Sequence, residues 1–239
     1  MIKIEDVEVM GMRKAIKGMR NAMNSWDKSD SVFIDPCCFY DNKSEEFYEY
    51  NHIGEKDMEL AKRLIKAGSS DRKFMRMIHV QADVIAPLYW WKQADQYRIG
   101  VTTNSTSTMH KIHAKEFTLD DFSHENLIND SIDTLEDLIN ILNDCRDAYI
   151  NYDKDINLIT KEITSKKHIW WQMIQLLPSS FNQMRTIDLN YETLFSIFHQ
   201  RKGHKLDEWR EFCKWIETLP YMKEFLGLDE QTETKEQKE

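Results

Sequence analysis

Three things are scarce in this sequence of 239 residues. No apolar run approaches the roughly 20 residues that cross a bilayer. The opening Met-Ile-Lys-Ile-Glu-Asp also lacks the charged-then-apolar order of an export signal. No membrane partner is therefore expected, and the expected location is cytoplasmic. Positive charge is also short, with 32 Lys and Arg against 41 Asp and Glu and a net charge of -9. Wrapping nucleic acid needs a surplus of cations on one face, so that function class is excluded, whereas a single anionic nucleotide needs only a few local arginines. The four cysteines, Cys37, Cys38, Cys145 and Cys213, show no C-x-x-C spacing and include a vicinal pair ill suited to an easy disulfide. Reduced thiols are expected, with Cys145 and Cys213 on the apolar stripes of helices. There is no internal repeat.

What is present is mostly helical periodicity. Residues 2–9 alternate loosely and suit an edge strand, residues 13–24 have helical composition, and residues 25–54 are mixed, with turn formers at Asp35-Pro36 and Asp41-Asn42. Met58, Ala61, Leu64 and Ile65 predict a helix over 55–67, stopped by Gly68. Ile78, Val80, Ala82 and Val84 alternate with Met77, His79, Gln81 and Asp83 and predict a strand over 77–85. Pro87 suits the first turn of a following short helix that carries Gln93 to Arg98. A polar loop over 100–108 should then expose its hydroxyls to a ligand. Leu135, Leu138, Ile139, Leu142 and Cys145 share one face of a helix over 131–150. Further helices are expected over 155–177, ending at Pro178, over 191–200 through Leu194, Phe195 and Phe198 with a stop near Gly203, and over 206–219 through Trp209, Phe212, Cys213 and Ile216. Residues 185–189 have strand character. Residues 229–239 contain no apolar side chain and are expected to be a disordered tail after a single domain over 1–228. Strands this sparse predict an α+β fold, helix-rich, with a sheet covered by helices.

Two blocks resemble a known family. Ala86, Pro87, Gln93 and Arg98, followed by Asn104 and Ser107 after one extra residue, are similar to the signature of the flavin-dependent thymidylate synthases (ThyX), A-P-I-F-x-x-R-Q-x-x-R-H-R-x-x-S-x-N-E-x-S-x-R-Y. Leu177-Pro178, then Asn190, Leu194 and Arg201, resemble the later L-P and N-x-R-x-L-x-x-F-x-x-x-R block of the same family, and the spacings agree. The resemblance implies the same α+β class and a homotetramer with flavin and nucleotide between subunits. It also implies FAD as cofactor, NADPH and methylenetetrahydrofolate as co-substrates, and methylation of a deoxyuridylate ring at C5. Gln93, Arg98, Ser107 and Arg201 are the substrate-binding residues it implies, and Arg98, Asn104 and Asn190 the cofactor-binding ones. No residue is assigned a catalytic role. Taken by themselves, these side chains also have plainer readings. Arginine is often a surface ion-pairing group, a hydroxyl-rich loop is often only solvated, and Asn190 is placed to cap the helix beginning at Tyr191.

Several motif positions differ. The R-H-R triplet reads Gln96-Tyr97-Arg98, the glutamate after Asn is Ser105, and the closing R-Y is Met109-His110. The arginine four residues before the Leu-Pro proline is Ile174, and the arginine of N-x-R is Glu192. At about 1.5–3 kcal/mol per charge-assisted hydrogen bond, three lost contacts weaken a phosphate ligand by thousands-fold or more unless replaced. Lys92, Arg185, Lys111, Arg72 and Lys73 are the replacements within reach in the sequence. The alternative to an enzyme is a catalytically inactive nucleotide-binding or oligomeric interaction protein on the same fold. His110/His113 and His199/His204 are close pairs without carboxylate or Cys partners at metal spacing, so no metal is expected. The doublets Trp90-Trp91 and Trp170-Trp171 suggest core or interface packing.

Overall fold

The loosely alternating start of the chain forms strand β1 (Lys3–Met10), whose side chains are mostly exposed. Helix α1 (Met12–Met19) follows and buries Ala15, Ile16 and Met19. It ends sooner than composition suggests, in a short 3-10 turn at Asn21–Met23. The entry needs glycine: Gly11 has φ +90°, and a Cβ there would lie 2.1 Å from the Met77 carbonyl oxygen. In this computed structural model residues 1–33, 52–152 and 165–229 are described. The turns expected at Asp35-Pro36 and Asp41-Asn42, Cys37 and Cys38, the first part of the helix expected from residue 155, and the tail after Asp229 lie outside them.

Helix α2 (Glu55–Ala67) has the expected bounds and stops at Gly68, where φ is 117°. Strand β2 (His79–Pro87) buries Val80, Ala82, Val84 and Ala86 and leaves the intervening residues half-buried, the period of a sheet with one fully covered face. Pro87 ends this strand and precedes α3 (Leu88–Ala94), with φ -68° and ψ 150°. The expectation of Pro87 inside the first turn is off by one residue, because its ψ is still extended.

The segment 100–108 differs more. Its middle is strand β3 (Val101–Ser105), with four of five side chains exposed, and only its ends are turns. The β-branched Val101, Thr102 and Thr103 suit extended backbone, but five residues with no apolar alternation carry no strand period. A four-residue helix, α4 (Thr108–Lys111), follows. Helix α5 (Asn129–Ile150) buries Leu135, Ile139, Leu142, Cys145 and Ala148, with Leu138 half-buried beside them. It packs on α6 (Lys166–Leu176), which buries Ile169 and Met173. Strand β4 (Asn182–Asn190), longer than expected, leads directly into α7 (Tyr191–Arg201), then α8 (Asp207–Thr218) and α9 (Met222–Leu226).

The four strands form an antiparallel sheet in the order β1-β2-β4-β3, so the α+β, helix-rich expectation holds. The chain divides into two compact units. The first comprises Met1–Glu5, Asp83–Arg98 and Thr103–Ile187, with its core between α5, α6 and the aromatic cluster Phe117, Phe122 and Phe181. The second comprises Asp6–Ala82, Ile99–Thr102 and Asp188–Glu239, with α7 packed on α8 and on the 3-10 turn Arg72–Met77. Among the described residues no helix is long and apolar enough to cross a membrane.

Candidate functional site

In the first unit the signature segment is held by one connected polar network. The buried Trp91 indole N–H donates to the Gln183 carbonyl oxygen at 2.9 Å. The Gln183 side-chain amide donates to the Thr106 carbonyl, also at 2.9 Å, and its Oε1 accepts from Arg185 Nε at 3.0 Å. Arg185 Nη1 donates to Asp95 Oδ1 at 2.6 Å, and the guanidinium lies 4.3 Å over the Trp91 ring. One arginine thus fastens the end of α3 to β4 through an ion pair, a hydrogen bond and a cation–π contact. This guanidinium is spent inside the fold and does not replace a lost ligand cation. Sequence reasoning found Arg185 only as a spare charge and Trp91 only as packing, and it missed Asp95 and Gln183 altogether. Asp95 and Arg185 are 90 residues apart, and no spacing rule reaches that far.

Four predicted residues lie in this unit. Gln93 is half-buried on α3, and Arg98 is exposed in the turn beyond it with no hydrogen bond or ion pair among the described residues. Asn104 is exposed on β3. Ser107 caps α4, its hydroxyl accepting from the His110 N–H at 3.2 Å. Beside α4 opens a cavity of about 570 Å³, lined by Met109, His110, Tyr149, Lys166, Lys167 and Trp170.

The other two lie in the second unit. Asn190 is buried, with 8% exposure, and its Oδ1 accepts from the Thr193 N–H at 2.9 Å and the Thr193 hydroxyl at 3.1 Å. That is the capping role. It is coupled to the turn before β3, since the Thr193 hydroxyl also lies 3.0 Å from the Ile99 carbonyl. Gly100, at φ +68°, leaves no room for a Cβ, which would fall 2.2 Å from Asn190 Nδ2. Arg201 is half-buried in the last turn of α7, its guanidinium 4.8 Å over the Trp209 ring. Glu192, at a motif arginine position, receives Arg72 Nε at 2.9–3.0 Å on both carboxylate oxygens, and Arg72 also covers the Phe195 ring at 4.6 Å. So Arg72 answers the carboxylate and adds no uncompensated charge. Burial, with Lys202 and Arg72 nearby, lowers the His199 pKa. Burial, with Arg201 and Lys205, lowers that of His204, whose Nδ1 accepts from the Leu206 N–H. Among the described residues no three His, Cys, Asp or Glu side chains converge on a metal position.

A second cavity, of about 260 Å³, lies beside α1 and is lined in part by Lys17, Arg20, Trp26, Ser29 and Ser31. Behind it sits Asp57, fully buried, accepting from Arg20 Nε at 2.5 Å and from the Ser29 and Ser31 hydroxyls at 2.6 Å each. Burial raises its pKa, but the hydrogen bonds from Ser29, Ser31 and Arg20 and the Arg20 charge outweigh that and hold it below the usual carboxylate value. Sequence reading gave no sign of this group, because Asp57 is one polar residue in an otherwise ordinary amphipathic helix.

No family sequence model matches the chain, and no curated protein matches it by sequence. Solved structures do. A flavin-dependent thymidylate synthase ThyX from Helicobacter pylori, complexed with FAD and dUMP, superposes with TM-score 0.60 at 12% identity, covering 94% of this chain and 97% of the other. A second structure of the Helicobacter pylori ThyX with FAD and dUMP gives 0.59 at 12%, covering 95% and 97%. The UMP/dUMP methylase PolB from Streptomyces cacaoi, bound with 5-Br dUMP, gives 0.52 at 12%, covering 91% and 89%. Along nearly its whole length, the chain has the fold of the flavin-dependent thymidylate synthases.

Proposed function

We propose that this protein binds a pyrimidine nucleoside monophosphate and, in the fuller form of the reading, binds FAD and methylates the uracil ring at C5. The observation that carries it is Arg98. It keeps its motif position and lies just past a helix end fixed by the Arg185–Asp95 pair. It is exposed and has no partner among the described residues. A guanidinium presented this way offers paired donors to a phosphate or to the edge of a uracil ring. The solved structures of like fold carry dUMP or 5-Br dUMP, and two carry FAD. Gln93, Ser107 and Arg201 complete the substrate-binding set. Ser107 does so as a hydroxyl on a capped turn, and Arg201 as a cation held against an indole.

For FAD, Arg98 and Asn104 are the side chains whose donors fit an anionic cofactor. Asn190, with its carbonyl engaged in the cap, acts by shaping the Ile99–Thr102 turn. Reduced FAD supplies hydride, methylenetetrahydrofolate the carbon and NADPH the electrons. The chain's own contribution is electrostatic, its arginines contacting the nucleotide and favouring negative charge on the pyrimidine. The same reading makes the protein a cytoplasmic homotetramer. An absorbance spectrum of the purified protein tests the flavin part, and a preparation that stays colourless after incubation with FAD refutes it. Calorimetric titration with dUMP tests the nucleotide part.

The Arg72–Glu192 pair favours a second reading, a nucleotide-binding or oligomeric protein without the chemistry. A carboxylate and its internal counter-ion stand there in place of a free arginine. Under it, dUMP binds but no flavin-dependent turnover follows.

A further inference from the structure

We infer that the cavity beside α4 and α6 receives the phosphate of the nucleotide on Lys166 and Lys167, with the base against the Trp170 indole; this rests on the nucleotide-binding reading and names the groups that do the holding. Its volume, about 570 Å³, falls in the range of roughly 300–1,000 Å³ typical of small-ligand sites. Its lining combines two lysines, a histidine and two aromatic rings, with no carboxylate among the described residues. In a chain of net charge -9, a concave surface whose described lining is cationic is locally positive. Phosphate is the kind of group it fits.

The parts are ordered for this. Lys166 and Lys167 open α6, an eleven-residue helix whose first-turn N–H groups add their own partial positive charge. The Lys166 ammonium is 4.9 Å from the centre of the Tyr149 ring. The Trp170 indole is fixed at both ends, donating to the Met109 carbonyl at 3.0 Å and meeting the Trp171 ring edge-to-face at 4.7 Å. A fixed indole beside cations suits a flat base joined to an anion.

The cavity also lies where the motif cations are missing. Met109, in place of a motif arginine, lines it. Ile174, in place of another, is one turn along α6 from Trp170. Positive charge absent at 174 is present about two turns earlier on the same helix, at 166 and 167.

Calorimetric titration with dUMP and with deoxyuridine at low ionic strength isolates the phosphate. Wild-type protein is expected to prefer dUMP, and Lys166→Gln/Lys167→Gln to lose about 30-fold or more of that preference while binding deoxyuridine as before. Trp170→Phe should weaken both ligands together, leaving the preference intact. Lys167→Gln alone, at an exposed position, serves if the double variant folds poorly, with a smaller loss of the same kind. A preference for dUMP that survives neutralisation of the lysines overturns this assignment and leaves nucleotide binding standing. Wild-type protein that binds neither ligand overturns both.

Discussion

Replacing Asp57 with Asn removes the anion from a site where its counter-ion cannot escape to water. The Arg20 and Asp57 side chains are 6% and 0% exposed, 2.5 Å apart. Breaking one side of such a buried pair costs about 3–5 kcal/mol, because the remaining charge is left uncompensated. The Asn amide also turns N–H donors toward hydroxyls that now donate to Asp57. Against a total stability of about 5–15 kcal/mol, that loss is large. It corresponds to a fall in melting temperature on the order of 10 °C for a chain this size. Urea denaturation at pH 7 measures it, and Arg20→Met combined with Asp57→Asn should recover a good part by removing the stranded cation. The pH dependence supplies a second check. A folded pKa held below its unfolded value contributes stability that is full above the ordinary Asp value and is lost as pH falls through the folded one. Wild-type stability should therefore drop on acidification below about pH 4, and the variant should drop less steeply. A loss below about 1 kcal/mol at pH 7, the level of a surface pair, would show that water or a neighbouring group already satisfies Arg20 and that the pair is not the buried keystone drawn above.

Three further outcomes are expected. Arg98→Ala should leave the melting temperature unchanged, since this exposed side chain has no partner among the described residues, yet weaken dUMP about 10- to 100-fold by calorimetry; equal affinity removes Arg98 from the site. Gly100→Ala forces φ +68° on a side chain and drives its Cβ into Asn190 Nδ2. It should therefore destabilise by about 2–3 kcal/mol through backbone strain and a disturbed cap, measured by urea melts; Gly100→Ala melting like wild type would mean the turn is free to move. Burial, with Glu217 nearby, pushes the Cys213 thiol up to about 11, and burial with Asp144 raises that of Cys145. Alkylation needs thiolate, so peptide mapping after iodoacetamide at pH 8 should find both unlabelled in the native protein and both labelled in urea.

The amino-acid sequence by itself determined the helices that bury an apolar stripe. Residues 55–67, 131–150, 191–200 and 206–219 each repeat apolar side chains at helical spacing, and each is a helix within a residue or two of those limits. It determined β2 as well, because alternation over 78–84 is a strand's own period, and with these the α+β class. The motif residues also carried the resemblance to the fold that the solved structures bear out. Local pattern is enough for such features because one-sided burial is written into neighbouring residues. Tertiary structure alone decided the rest. Strand β3 exists through its place in the sheet and not through any period of its own, so 100–108 reads as loop until the sheet is seen. Arg72 and Arg185 look like spare cations until Glu192 and Asp95 meet them from 120 and 90 residues away. Lys166 and Lys167, unremarked in the sequence, gain meaning only beside Trp170 and Tyr149. Charge is a property of single residues, but whether that charge is neutralised, buried or offered to a ligand depends on which distant side chains the fold brings within a few ångströms of it.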